Sequence, residues 1–217
     1  MTADTPDLAA LRREYGDRGL DLPDLADDPI TTFRRWLDDA VAALHEPNAM
    51  VVSTVSAEGR PSSRMVLLKG VDERGFVFYT NYDSRKGQEI EATGRVALLF
   101  PWHDLQRQVR VEGTATRVSR EETEAYFAQR PRESQLGAWA SPQSRVVAGR
   151  AALDERYGGV LAQFAGLDDV PAPPQWGGYL VTPDEVELWQ GRKGRMHDRL
   201  VYRRDDEGGW AVERLAP

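Results

Sequence analysis

Arg64-Met65-Val66-Leu67-Leu68-Lys69 is an apolar, β-like run with a cation at each end. After the turn sequence Asp72-Glu73-Arg74-Gly75 it is answered by Phe76-Val77-Phe78-Tyr79-Thr80-Asn81. Two short apolar runs joined by a polar, glycine-containing turn read as a hairpin. The strand-like stretch 64–70 and its partner 76–81 are flanked by others of the same character: 50–55 before them, then 96–102 and 108–118. Beyond a proline-rich loop at 170–174 come 176–181, 185–189, 199–204 and 210–215. Many short strands at close spacing predict an antiparallel barrel rather than a parallel sheet built from βαβ units.

Helical patterns lie around this β framework, so the fold class is mainly β with flanking helices (α+β). Asp28 before Pro29 reads as an N-cap with proline at the first helical position. Ile30, Phe33, Trp36, Leu37, Val41 and Leu44 then recur at helical spacing, giving an amphipathic helix that ends near His45. Ser84 caps a short crossing helix over 84–93. Ser119 and Glu122 form a capping box that predicts a helix over 121–129, stopped by Pro131. Helix-like sequence returns at 145–164. Residues 1–27 are polar and broken by prolines; read alone, they are a mobile tail, with Leu11-Arg12-Arg13-Glu14-Tyr15 as the one compact cluster.

Composition narrows the function classes. The chain of 217 residues, 41% hydrophobic and with six Trp, is long enough to bury one sizeable core, with two small domains also within reach of that length. A net charge of -7 argues against sequence-independent nucleic-acid binding, so any anion site is local. There is no cysteine, hence no disulfide or thiol nucleophile. The N-terminus lacks an apolar signal segment and no stretch approaches the ~20 apolar residues of a membrane span. The chain reads as soluble and cytoplasmic. His45, His103 and His197 are scattered in sequence, so no metal site is expected.

The residues that carry chemistry are cations beside aromatic residues and amides. Alternation along a strand puts Arg64, Val66 and Leu68 on one face and Met65, Leu67 and Lys69 on the other. The two cations then serve two different pockets, or are two solvated edge-strand charges. Ser84-Arg85-Lys86 combines cations with the free N–H groups of a helix start, which suits a phosphate and also suits an ordinary cap. Tyr126, Arg130 and Ser134 are four apart; an Arg fork with two hydroxyls fits a phosphate monoester, although Pro131 assigns Ser134 to the turn after the helix. Arg195-Met196-His197-Asp198-Arg199, with glycines at 191 and 194, reads as a site loop, and the charge beside His197 brings its titration into the physiological range.

Taken in order, these motifs resemble the pyridoxamine 5'-phosphate oxidase family. The resemblance runs from Leu11-Arg12-Arg13-Glu14-Tyr15 through Arg64 to Lys69, Phe78 to Asn81, Ser84-Arg85-Lys86, Leu99 to His103, Arg130 to Gln135, Gly137-Ala138-Trp139 and Trp176-Gly177-Gly178, to Arg214-Leu215-Ala216-Pro217. It implies an antiparallel split β-barrel over 28–217, including a C-terminal dimerisation region, as a homodimer with FMN at the subunit interface. It also makes 1–27 a partly mobile segment that closes over the active site. The implied FMN contacts are Arg64, Met65, Val66, Leu67, Leu68, Lys69, Tyr79, Thr80, Arg85, Lys86, Gln108, Gln143, Ser144, Trp189 and Arg199. The implied substrate contacts are Arg12, Tyr15, Lys69, Tyr126, Arg130, Ser134, Arg195 and His197, the last two being the catalytic pair over the pyridine ring. The implied activity is oxidation of pyridoxamine or pyridoxine 5'-phosphate to pyridoxal 5'-phosphate, with hydride passing from C4' to the flavin N5 and O2 reduced to H2O2.

Four positions depart from the family's usual pattern: Glu46 where Asp is frequent, Arg192 and Lys193 with their extra charge, and Met196 where Leu is common. Two rivals remain. A sister flavoprotein acting on another substrate has no reason to keep Tyr126, Arg130, Ser134 and the 195–197 loop. A protein that merely stores FMN or pyridoxal phosphate has no use for a closing segment.

Overall fold

The computed structural model describes Asp7 and residues 14–217. Nine strands form one sheet in which every pairing is antiparallel. They are β1 (Ala49–Val55), β2 (Pro61–Leu67), β3 (Gly70–Asp72), β4 (Gly75–Asn81), β5 (Arg95–Trp102), β6 (Arg107–Arg117), β7 (Trp176–Gln190), β8 (Asp198–Arg204) and β9 (Trp210–Leu215). The path runs β2-β1-β5-β6-β7-β4-β3, with β8 on β7 and β9 on β8.

The run that opened the sequence reading is where this sheet curls into a half-barrel. It is not one strand over 64–70: β2 ends at Leu67 and β3 starts at Gly70. At the corner between them, the Leu68 N–H donates to Asn48 O (2.8 Å) and the Lys69 N–H donates to Val77 O (2.8 Å). Consecutive peptide groups thus bond to the two opposite edges of the sheet, and a strand that serves two edges must bend between them.

Five helices pack around it: α1 (Pro29–Ala43), α2 (Arg85–Thr93), α3 (Arg120–Ala128), α4 (Arg132–Ala140) and α5 (Arg150–Gln163). The expected caps form. The Asp28 side chain accepts from the Thr31 N–H (2.8 Å), Ser84 from the Gly87 N–H (3.3 Å) and Ser119 from the Glu122 N–H (3.1 Å). Helix α1 buries Ile30, Phe33, Trp36 and Ala40, and Phe33 meets Phe76 and Phe100 at 4.9 and 4.8 Å. It stops at Ala43 because Leu44 is already extended, ahead of the Glu46-Pro47 step, whose proline disfavours helix at the residue before it.

Three further expectations are corrected. Strands 176–181 and 185–189 are one fifteen-residue strand, β7, passing through Thr182-Pro183-Asp184. Proline is tolerated there because β7 changes its second partner at that point, from β4 (through Val181) to β8 (from Glu185). On the other edge the register shifts at Glu112/Gly113, a bulge that accommodates the bend. Ser134 lies in a helix, α4, rather than in a turn, with Pro131 at its N-cap position. Helix α5 begins at Arg150, not 145, after an irregular loop in which Ser144 adopts φ 69°.

The main core fills the barrel and the face of α1, with Met50, Phe76, Phe78, Phe100, Trp102 and Leu188 among its buried residues. A second cluster, Phe127, Leu136, Phe164, Val170, Ala172 and Trp176, fastens α3, α4 and α5 to the start of β7. A cavity lies beside it.

Candidate functional site

That cavity, about 480 Å³, takes Met65, Val66 and Leu67 from β2, Lys69 from the corner, Tyr79 and Thr80 from β4, Lys86 from α2, Tyr126 from α3, Arg130 from the α3–α4 junction, Ser134 from α4 and Gln143 from the loop beyond. Tyr126, Arg130 and Ser134 converge although they belong to two helices and a junction. Asn81, Gly137, Ala138, Ser141 and Trp176 also line it and were not expected. Asn81, Gly137, Ala138 and Trp176 had a signal, since each lies in a motif that carries the resemblance; Ser141, just past a helix that was not foreseen, had none.

The lining carries a buried cation. Lys86 is buried, and its Nζ donates to Thr80 Oγ1 (3.0 Å), Gln143 Oε1 (3.3 Å) and Ser84 Oγ (3.5 Å). No carboxylate among the described residues forms an ion pair with it. Burial, helped by the charge of Arg64, brings its pKa down to about 8. Arg64 and Arg85 are differently placed, both facing Glu89: Arg85 Nε lies 2.8 Å and Arg64 Nη2 3.5 Å from its carboxylate. Glu89 is buried and also accepts from the Ser62 and Thr54 hydroxyls. Burial alone would raise its pKa, but those hydrogen bonds and the Arg85 charge outweigh it and hold the group at about 2. Glu89 escaped the sequence reading, although its i,i+4 spacing from Arg85 was visible. The strand alternation held in part: Arg64 turns to Glu89 while Met65, Leu67 and Lys69 line the cavity, but Val66, expected on the face of Arg64, lines the cavity as well.

The lining also carries an aromatic stack. Tyr79 stacks on Tyr126 (centroids 4.0 Å) and on Trp176 (5.4 Å). The Arg130 guanidinium lies 4.6 Å from the Trp176 ring centre, and its Nη1 is buried with no hydrogen-bond partner among the described residues. A guanidinium N–H stripped of water and left unsatisfied is costly unless an acceptor arrives. This atom therefore marks a candidate anion position in the cavity that Lys86, Ser134 and Tyr126 also line.

The remaining expected residues gather elsewhere. At the far end of β7, Trp189 pairs in register with Gln108 of β6 and Arg199 of β8. Arg199 is held by Glu187 (2.7 and 3.0 Å) and donates to Ala216 O (3.0 Å). The His197 ring lies 4.6 Å from Trp189, and Tyr15 packs edge-on against both, at 5.8 and 5.4 Å. His197 Nδ1 accepts from the Arg192 N–H (3.1 Å). Burial and then the Arg195 charge lower the His197 pKa, which favours the neutral ring. Arg195 is exposed, with φ 62°. The added charges of the loop are matched: Lys193 pairs with Asp17 (2.7 Å) and Arg192 with Asp198 (3.2 Å). Arg12 lies outside the described residues; Tyr15 does not.

Trp176 and Trp189 are separated by thirteen residues of β7, roughly 40 Å of strand at ~3.3 Å per residue. Leu68, Arg64, Arg85 and Ser144 do not line the cavity, and neither do Gln108, Trp189, Arg195, His197 or Arg199. The expected site residues thus form two separate clusters at opposite ends of one strand. Among the described residues no group of three or more His, Asp or Glu is placed to hold a metal, and no helix is long and apolar enough to cross a membrane.

With this geometry in hand, comparison with known proteins is specific. Residues 37–164 match the family model described as pyridoxamine 5'-phosphate oxidase, and 176–217 the pyridoxine 5'-phosphate oxidase C-terminal dimerisation region. A pyridoxine/pyridoxamine 5'-phosphate oxidase of Nocardioides sp. is 59% identical over 212 residues, 97% of this chain and 98% of the relative. One of Salinibacter ruber is 55% identical, over 97% of this chain and 99% of the relative. Among solved structures, PhzG from Burkholderia lata in complex with tetrahydrophenazine-1-carboxylic acid superposes with a TM-score of 0.83 at 34% identity, covering 90% of this chain and 95% of that one. An FMN-binding protein of Nostoc punctiforme shares the fold, with a TM-score of 0.71 at 18% identity, covering 89% of this chain and all of that one.

Proposed function

The chain belongs to the pyridoxamine 5'-phosphate oxidase family, and from that premise we propose that it oxidises pyridoxamine and pyridoxine 5'-phosphate to pyridoxal 5'-phosphate with FMN as resident cofactor. The observation that carries this reading is that one cavity is lined both by Lys86, a buried cation with no ion-pair partner among the described residues, and by Arg130, whose Nη1 is buried and unsatisfied. Two such positions fit two phosphorylated molecules, a flavin mononucleotide and a vitamer phosphate.

The residues present fit FMN. Met65, Val66, Leu67, Lys69, Tyr79, Thr80, Lys86 and Gln143, which line the cavity, would hold it from one protomer; Arg64, Leu68, Arg85 and Ser144 of the implied set stand outside that lining. Gln108, Trp189 and Arg199 would complete the contact from its partner, since the two sets are separated within the chain and the second lies at or beside the dimerisation region. When bound, FMN supplies the redox chemistry, accepting hydride from C4' of the vitamer and passing the electrons to O2, which yields H2O2.

The protein's own part is binding and orientation. Lys69, Tyr126, Arg130 and Ser134 take the substrate phosphate, with Arg130 Nη1 already buried away from water. Remote binding of the phosphate fixes where the ring lies, which is the contribution that positioning makes to rate. Arg195 orients the substrate from the opposite cluster. His197, neutral and with Nδ1 occupied by the Arg192 N–H, carries its proton on Nε2 and presents it as a donor. Tyr15, and with it Arg12, closes the site from the N-terminal side.

The test is spectroscopic. Purified protein is expected to be yellow, to bleach when pyridoxine 5'-phosphate is added without oxygen, and to regain its colour in air with release of H2O2. Protein that binds no FMN, or bound flavin that does not bleach, would overturn the reading.

A further inference from the structure

The N-terminal strap, residues 14–21, and the loop 191–197 are joined through one carboxylate. Asp198, buried at the start of β8, uses Oδ2 to accept from the Leu20 N–H of the strap (3.0 Å) and from Arg192 Nη1 of the loop (3.2 Å). Its Oδ1 accepts from Arg214 Nη1 of β9 (2.6 Å). Arg214 returns to the strap, its Nη2 donating to Leu20 O (3.0 Å) and to Asp21 Oδ1 (2.9 Å). Three segments distant in sequence therefore meet at a single side chain. The strap so fastened lays Tyr15 on Trp189 and His197, and the loop so fastened aims the Arg192 N–H at His197 Nδ1.

We propose that Asp198 is a positioning residue for the reaction: its carboxylate locks the strap and the loop to each other and to the C-terminal strand, so that Tyr15 and His197 are placed as one unit. This deepens the functional reading above and rests on it for the roles of Tyr15 and His197. The geometry explains why an acidic side chain is needed. Three donors, two of them guanidinium groups, converge on two oxygens in a buried place, and only a charged carboxylate satisfies all three. An amide in its place would turn one acceptor into a donor facing Arg214 or Arg192.

The test compares the FMN-loaded dimer with D198N and R214Q. Hydrogen-exchange mass spectrometry reads peptides from the strap and from the loop, alongside kcat, KM and the FMN dissociation constant. In both variants exchange is expected to accelerate at least about tenfold in both peptides together. Expected with it are a fall of about tenfold in kcat/KM and an FMN dissociation constant within about twofold of wild type. Arg214→Lys, which keeps the charge but not the fork, is expected to recover part of the loss. Faster exchange in only one of the two segments, in neither, or across the whole barrel with loss of FMN would overturn the proposal. Should D198N not fold, R214Q, whose side chain is half-exposed on an edge strand, carries the same test. A wild-type protein that oxidised no vitamer phosphate would defeat the functional reading, while the paired exchange would still decide whether Asp198 joins the two segments.

Discussion

Arg130 shows how much a single orphaned atom can say. Its guanidinium packs against Trp176, and Nη1, buried away from water, finds no acceptor in the described residues. Arg130→Ala is expected to raise KM for pyridoxine 5'-phosphate by about 10- to 100-fold, matching the roughly 1.5–3 kcal/mol of a charge-assisted hydrogen bond. FMN binding, followed by flavin fluorescence, should be unchanged. Lys86 makes a pH prediction. With its pKa brought down to about 8, it is mostly charged at pH 7 and mostly neutral at pH 9, so FMN is expected to bind about tenfold more weakly at the higher pH. The stability of the FMN-free protein runs the other way. The folded state sheds this proton near pH 8 and the unfolded chain only near 10.5, so stability rises between those values. Titrations of flavin fluorescence and denaturant midpoint across pH 7–9.5 check both signs. These residues were readable in sequence only as a set, because each cation taken singly also fits an ordinary cap or a solvated face, and it was their order along the chain that resembled a family. Glu89 and Asp198 were not, because a buried counter-ion declares itself only once the chain is folded around it.

At the scale of elements, the strands were legible wherever a polar turn bounded an apolar run, and illegible where tertiary pairing overrode a local signal. Pro183 looked like an end and is not one, because β7 changes partners there and no hydrogen bond is asked of that nitrogen. Helix α4 was hidden by Pro131, a stop for α3 that also serves as the cap position of α4. The bulge opposite Pro183 carries its own prediction. A Cβ on Gly113 would come within 2.1 Å of the Thr182 carbonyl oxygen, a backbone atom that cannot step aside. Gly113→Ala is expected to destabilise the protein by about 1–3 kcal/mol in urea unfolding, with the loss tied to the β6–β7 junction. A midpoint unchanged from wild type would show that the two strands slide freely there.

For the whole molecule, the separation of the two clusters makes a prediction about pairs of chains. If each working site joins the cavity of one protomer to the Trp189–His197 cluster of the other, two inactive variants can repair each other. Mixing Arg130→Ala with His197→Ala protomers places both defects in one site and leaves the second intact. Random reassembly is then expected to restore about a quarter of wild-type sites, half of the dimers being mixed and each holding one good site. No recovery after mixing would mean that each chain builds its site alone. The buried cations have a further bearing on the life of the protein. Lys86 and Arg130 lose their water when the chain folds, not when a ligand arrives, so the unfilled form bears that penalty throughout its existence. Filling the cavity stabilises the fold by mass action. Degradation that acts on opened chains will therefore fall hardest on molecules waiting for flavin, and the cellular supply of flavin becomes a determinant of how long each copy survives.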